Sequence, residues 1–181
     1  EFRRVLFRSS NTINARVETI AEKPSFRSAF RSRRCLIPAS GYYEWATEFG
    51  QFKSKQPFYI SNKDQTLLPM AGIYDEWVNP QTGELITSAA IITREAKDFI
   101  AKIHHRMPIM LPKDDWESWL DPHSLNENEV GDYLNLLDKS DPTVGLTAWP
   151  VSTAVNSGRS SGSQLAQQIA LGRPETLFLG A

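Results

Sequence analysis

The sequence predicts an α+β fold: a curled, largely antiparallel β-sheet, barrel-like, flanked by short helices. Three observations predict it. Strand-like segments outnumber helical ones in the first half of the chain. Strands and helices do not alternate regularly, which argues against a doubly wound parallel sheet. Short runs rich in β-branched and aromatic residues are separated by turn signals, the strongest being Asn79-Pro80-Gln81-Thr82-Gly83.

Residues 14–18 (NARVE) alternate polar with small or apolar side chains and read as extended. Ser25 is placed to cap a short helix over 26–33, with Phe26 and Phe30 on one face. Residues 34–37 (RCLI) read as a strand, Pro38 and Gly41 bracket a turn, and 41–46 (GYYEWA) resume an aromatic strand. Further strands are expected at 57–61, 67–73 and 85–93, forming an antiparallel meander. Residues 96–103 read as a short helix with Phe99, Ile100 and Ile103 inward, followed by a polar loop that runs into an apolar strand at 109–111. Pro112 leads into a helix with Trp116, Trp119 and Leu120 as its apolar stripe. A helix at 126–137, a strand at 146–152, a helical turn or two at 163–170 and a last strand at 176–179 complete the pattern.

A chain of 181 residues accommodates one domain with a sizeable core. With 40% hydrophobic and 23% charged residues, it is neither disordered nor an acidic tail. No run approaches the apolar length of a membrane span. The single cysteine, Cys35, cannot form an intramolecular disulfide, and this fits a reducing, cytoplasmic setting. One Cys and three His are a thin supply for a zinc site, so neither metal nor cofactor is expected.

The net charge of −1 conceals an asymmetry. Residues 1–34 carry nine basic groups against three acidic ones, giving +6; the remainder carries eleven against eighteen, giving −7. A basic end on an acidic body suits either an anionic partner such as nucleic acid or an ordinary solvated surface. Residues 1–10 match no element, and Leu6-Phe7-Arg8-Ser9 is what the end of a common sequencing-library adaptor encodes. They read as a non-native junction ahead of a single domain at 11–181. Without them the basic character survives in Arg16, Lys23, Arg27, Arg31, Arg33 and Arg34.

If 14–18 is extended, Asn14, Arg16 and Glu18 share one face. An amide, a guanidinium and a carboxylate together can orient a polar ligand, and Arg16 can hold a phosphate with paired donors. The same pattern also describes the wet side of an edge strand. Glu44 lies between Tyr43 and Trp45, where a partly desolvated carboxyl favours its neutral form and can act as a general acid. His104 and His105 are adjacent, so their side chains are expected to point apart, with one entering any given site as a proton shuttle. Arg106 beside them can contact a phosphate. Cys35 sits in an apolar strand pattern and reads as packing. Trp116 and Trp119, at helical spacing, read as core. The sequence holds no serine nucleophile elbow, phosphate-cradling glycine loop or dinucleotide fingerprint.

Four segments taken together resemble one family. These are Asn14-Ala15-Arg16-Val17-Glu18-Thr19; Arg34-Cys35-Leu36-Ile37-Pro38-Ala39 with Gly41-Tyr42-Tyr43-Glu44-Trp45; Ile103-His104-His105-Arg106-Met107-Pro108; and Pro150-Val151-Ser152 with Val155-Asn156. Their order is similar to that in the SOS-response-associated peptidase family of abasic-site processing proteins. The resemblance implies recognition of abasic sites in single-stranded DNA and a thiazolidine DNA–protein crosslink made by an amino-terminal Cys. It implies that Asn14 positions the terminal amine, that Glu44 serves as acid and base, and that His104 handles the proton of the opening sugar. Arg16 and Arg106 would grip the flanking phosphates. A monomer acting on single-stranded DNA, without membrane or metal, is the expected form.

The family's Met-Cys-Gly-Arg-Phe start is absent from this sequence, which begins with Glu1, and Cys35 offers no free amine. The expectation is therefore that the chain as given does not crosslink. His105 stands where relatives often carry Asn or Asp. Two other readings compete: a peptidase with self-processing activity, and a non-catalytic module that binds single-stranded DNA.

Overall fold

The computed structural model describes residues 12–46, 56–139 and 145–171. The expected junction at 1–10 and the expected strand at 176–179 lie outside them. Among the described residues, eight strands fall into two sheets: β1 (Asn14–Arg16), β2 (Arg34–Ala39), β3 (Tyr42–Ala46), β4 (Gln56–Asn62), β5 (Leu68–Val78), β6 (Leu85–Glu95), β7 (Arg106–Pro108) and β8 (Leu146–Pro150). The larger sheet runs β1-β6-β5-β2, with β7 also on β6; the smaller runs β3-β4-β8. Four short helices accompany them: α1 (Arg27–Ser32), α2 (Asp98–Ala101), α3 (Trp116–Leu120) and α4 (Glu127–Lys139). The architecture is α+β and largely antiparallel, as the sequence predicts. The strands divide between two sheets, and no closed barrel forms among the described residues.

Strand alternation sets the layers. On β5, Ala71 and Ile73 face one core with Phe30, Trp119 and Leu137 from the helices. Leu68 and Met70 face the opposite way, into a second core shared with Ile60 and Leu146 of the smaller sheet and Ile100 of α2. The larger sheet is thus buried on both faces, which explains the near-continuous apolar run at its centre. The β5–β6 hairpin turns where its sequence demands, with Gly83 at φ +70° and its N–H donating to the Asn79 carbonyl at 2.8 Å.

Several expectations shift. The extended run at 14–18 ends at Arg16, and Val17–Thr19 form a 3-10 turn. β1 pairs with β6 in parallel, a long-range pairing that no local pattern announces. The polar loop after α2 is itself a strand, since Arg106–Pro108 pairs with Thr93–Glu95, while the expected strand at 109–111 is reduced to a bridge from Met110 to Met70. Trp119 is wholly buried but Leu120 is 45% exposed, because α3 is only five residues long and turns one narrow face inward.

Arg34, quoted in a family-like motif, turns out to be a structural hub. Its buried guanidinium donates to the carbonyls of Phe30, Arg31, Trp119, Asp121 and His123, and lies 4.7 Å from the Tyr133 ring centre. It binds the ends of α1 and α3 to the start of β2.

Candidate functional site

β1 is three residues long, and Ala15 at its centre is buried in the helix-side core. Asn14 and Arg16 therefore point the other way, toward the smaller sheet. Parallel register sets them beside Ile91 and Thr93 of β6. From across the gap come Tyr42, Tyr43 and Glu44 of β3, and from the far end His104, Arg106, Met107 and Pro108. With Met70 these residues line one cavity of about 390 Å³. Asn14, Arg16, Glu44, His104 and Arg106, singled out separately in the sequence, all line it.

Gly41 fixes how β3 reaches this cavity. A Cβ at that position would lie 2.3 Å from the Tyr59 ring and 2.6 Å from the Ile60 carbonyl, so only glycine permits the approach. Beyond it, Glu44 Oε1 lies 3.6 Å from Nδ1 of His104, and both side chains are about one-quarter exposed. Burial pushes the Glu44 carboxyl above the ordinary carboxylate range, partly offset by His104. His104 Nδ1 has two alternative partners on Arg106. Unprotonated, it accepts the backbone N–H at 3.2 Å; protonated, it can donate to the carbonyl at 3.1 Å and face the Glu44 carboxylate. A carboxyl that holds its proton to higher pH than usual thus stands beside an imidazole, two groups that general acid–base chemistry uses.

The two arginines differ. The Arg16 side chain makes no hydrogen bond or ion pair among the described residues and is exposed. Arg106 is held by Glu18, with Nη1 2.7 Å from Oε1 and Nη2 2.9 Å from Oε2; Nη2 also donates to the Thr93 carbonyl at 2.7 Å. Glu18 therefore leaves the face expected for it beside Asn14 and Arg16, because the 3-10 turn swings its side chain onto Arg106. This hydrogen-bonded partner holds the Glu18 carboxyl below its usual range.

The histidines also depart from expectation. Their rings do not point apart but pack at 4.3 Å between centres with a 46° tilt, and only His104 lines the cavity. Cys35, in β2, has its thiol pushed up to about 11 by burial, as a packing residue should. The apolar lining from Met70, Ile91, Met107 and Pro108 has no signal in the sequence reading, although period-two alternation on β6 puts Ile91 with Thr93; the next strand, expected at 109–111, forms instead at Arg106–Pro108. The Tyr42 hydroxyl is buried without a partner among the described residues, and burial raises its pKa. The Trp45 indole donates to Asn156 at 2.7 Å, joining two segments of the family-like pattern. No group of three or more His, Cys, Asp or Glu side chains among the described residues could hold a metal ion. No described helix is long and apolar enough to cross a membrane.

Fold and cavity together define a class: an α+β protein whose two sheets set a carboxyl–imidazole pair and an exposed arginine around one cavity. Comparison gives the family. A family model described as "SOS response associated peptidase (SRAP)" matches residues 4–158, and the chain belongs to that family. It is 40% identical over 153 residues to "Abasic site processing protein YoaM" of Bacillus subtilis (strain 168), covering 84% of this chain and 64% of that protein. It is 33% identical over 184 residues to "Abasic site processing protein HMCES" of Gallus gallus, covering 91% of this chain and 52% of that one. The chain thus spans less than two thirds of either relative. A crystal structure of a protein from Bacteroides thetaiotaomicron superposes with a TM-score of 0.75 at 36% identity, over 88% of this chain and 67% of that one.

Proposed function

We propose that this domain recognises abasic sites in single-stranded DNA and, in a form bearing an amino-terminal Cys, captures them covalently. The observation that carries the proposal is the convergence of Asn14, Glu44 and His104 on one cavity beside the exposed Arg16. The ring-opened sugar of an abasic site is an aldehyde next to phosphates. Condensing it with an amine needs a proton donor and acceptor at one carbon and a cation for the backbone. Glu44 and His104 supply the first, Arg16 the second, and Asn14 orients the amine. A terminal amine suits this step because its intrinsic pKa lies below that of lysine.

The thiazolidine step also needs a thiol on the same residue as the amine. Cys35 lacks a free amine and lies half-buried in β2, so the covalent step is assigned to an amino-terminal Cys and not to Cys35. Without such a Cys, the domain is expected to bind the lesion without bonding to it. We assign it a cytoplasmic setting and a monomeric state. Self-processing of the amino terminus would use the same Glu44 and His104.

The test is fluorescence anisotropy of the 181-residue chain with a single-stranded oligonucleotide containing one abasic site and with its intact counterpart, at two salt concentrations. Tighter binding of the abasic strand, weakening with salt, is the expected result. Equal binding of both strands would leave only the reading as a non-catalytic single-strand module.

A further inference from the structure

Arg106 is locked by hydrogen bonds, whereas Arg16 makes none among the described residues and only a through-space attraction to Glu18, and the lock has a particular architecture. Arg16 of β1 and Pro108 of β7 both register on Thr93, so β1 and β7 flank β6 on opposite sides. Glu18, two residues past Arg16, reaches across β6 to Arg106. The ion pair therefore ties together the two strands that deliver Asn14 and Arg16 from one side, and Arg106 from the other. Of the guanidinium's five N–H donors, the Glu18 carboxylate takes two and the Thr93 carbonyl a third. The Nε–H is buried without a partner among the described residues. The Arg106 side chain is 17% exposed and that of Glu18 48%, so the cation is the inward member and the carboxylate its outer brace.

We infer that Glu18 is a positioning residue for ligand selection: it fixes the Arg106 fork and cancels its charge, so that the cavity admits a phosphate by position instead of by charge. The inference rests on the proposed function and adds a residue to it. An unbraced arginine is a mobile cation that attracts any polyanion. A braced one presents its remaining donors in one place and adds little long-range attraction, leaving Arg16 as the general phosphate contact. Lesion preference then depends on Glu18, although Glu18 is not among the residues lining the cavity.

The experiment measures the affinity of Glu18→Gln, Glu18→Asp and Arg106→Lys for the abasic and intact oligonucleotides, with thermal melts to confirm folding. Glu18→Gln is expected to bind the intact strand about two- to fivefold tighter, having lost one partly screened negative charge. Its affinity for the abasic strand stays flat, so preference falls by the same factor. Glu18→Asp keeps the charge and restores the wild-type affinity for intact DNA. Arg106→Lys, which cannot make the two-pronged pair, loses preference without tightening on intact DNA, and it carries the test with Glu18→Asp should Glu18→Gln fail to fold. An equal gain on both strands, or no change on either, would overturn the role of Glu18 while leaving the proposed function intact. A wild-type protein that does not discriminate would overturn both.

Discussion

Glu44 Oε1 stands 3.6 Å from His104 Nδ1, bringing a strand of the smaller sheet against the segment that links α2 to β7 of the larger one. The raised Glu44 pKa has a consequence for stability. Below the ordinary carboxylate range the group is neutral in the folded and unfolded chain and contributes nothing. As pH rises from there through the raised native value, the unfolded chain ionises first, so Glu44 increasingly costs stability. Glu44→Gln is therefore expected to be no less stable than wild type at pH 7, with an advantage that shrinks toward pH 4. Urea unfolding across that range checks it. The same variant should slow lesion capture by a Cys-bearing form about 100-fold or more, because an amide cannot exchange the proton.

Arg16 is the exposed cation of the cavity, unpaired among the described residues. Arg16→Gln should weaken binding to abasic and intact strands alike and reduce the slope of log affinity against log salt by about 0.7, the share of one single-strand phosphate contact. Anisotropy titrations at several salt concentrations measure that slope.

Cys35 should be inert. With its thiol pushed up to about 11, almost none is thiolate at neutral pH. A thiol-reactive dye is expected to label the folded chain far more slowly than the urea-unfolded chain, and Cys35→Ala to leave DNA binding unchanged.

Arg34 should matter for folding and not for recognition. Arg34→Met leaves five carbonyl partners without their donor and is expected to lower the unfolding free energy by about 3 kcal/mol or more. Denaturant titration gives the loss; the folded fraction should retain the ratio of abasic to intact affinity.

Most elements were legible because their signals are local. The alternation at Asn14-Ala15-Arg16, the turn at Asn79–Gly83 and the Phe26/Phe30 face each depend on neighbours in sequence. What escaped depends on distant partners. The parallel register of β1 on β6 ends at Arg16↔Thr93, and that end point decides that Glu18 turns toward Arg106. Arg106–Pro108 is a strand only because Thr93–Glu95 offers it an edge. His104 and His105 pack together in the link just ahead of that strand, which a rule for an extended dipeptide does not describe. Of the site, the polar residues were legible as candidates; the brace on Arg106 and the apolar wall of the cavity were not.

The most direct test adds the family's Met-Cys-Gly-Arg-Phe start ahead of Asn14 and incubates that protein with abasic single-stranded DNA, reading adducts that survive denaturing gels and confirming their mass. The account predicts an adduct that forms with the native residues and is slowed sharply when Glu44 and His104 are replaced. An adduct that forms equally fast with Asn14, Glu44 and His104 all replaced, or none at all from the folded protein, would contradict it.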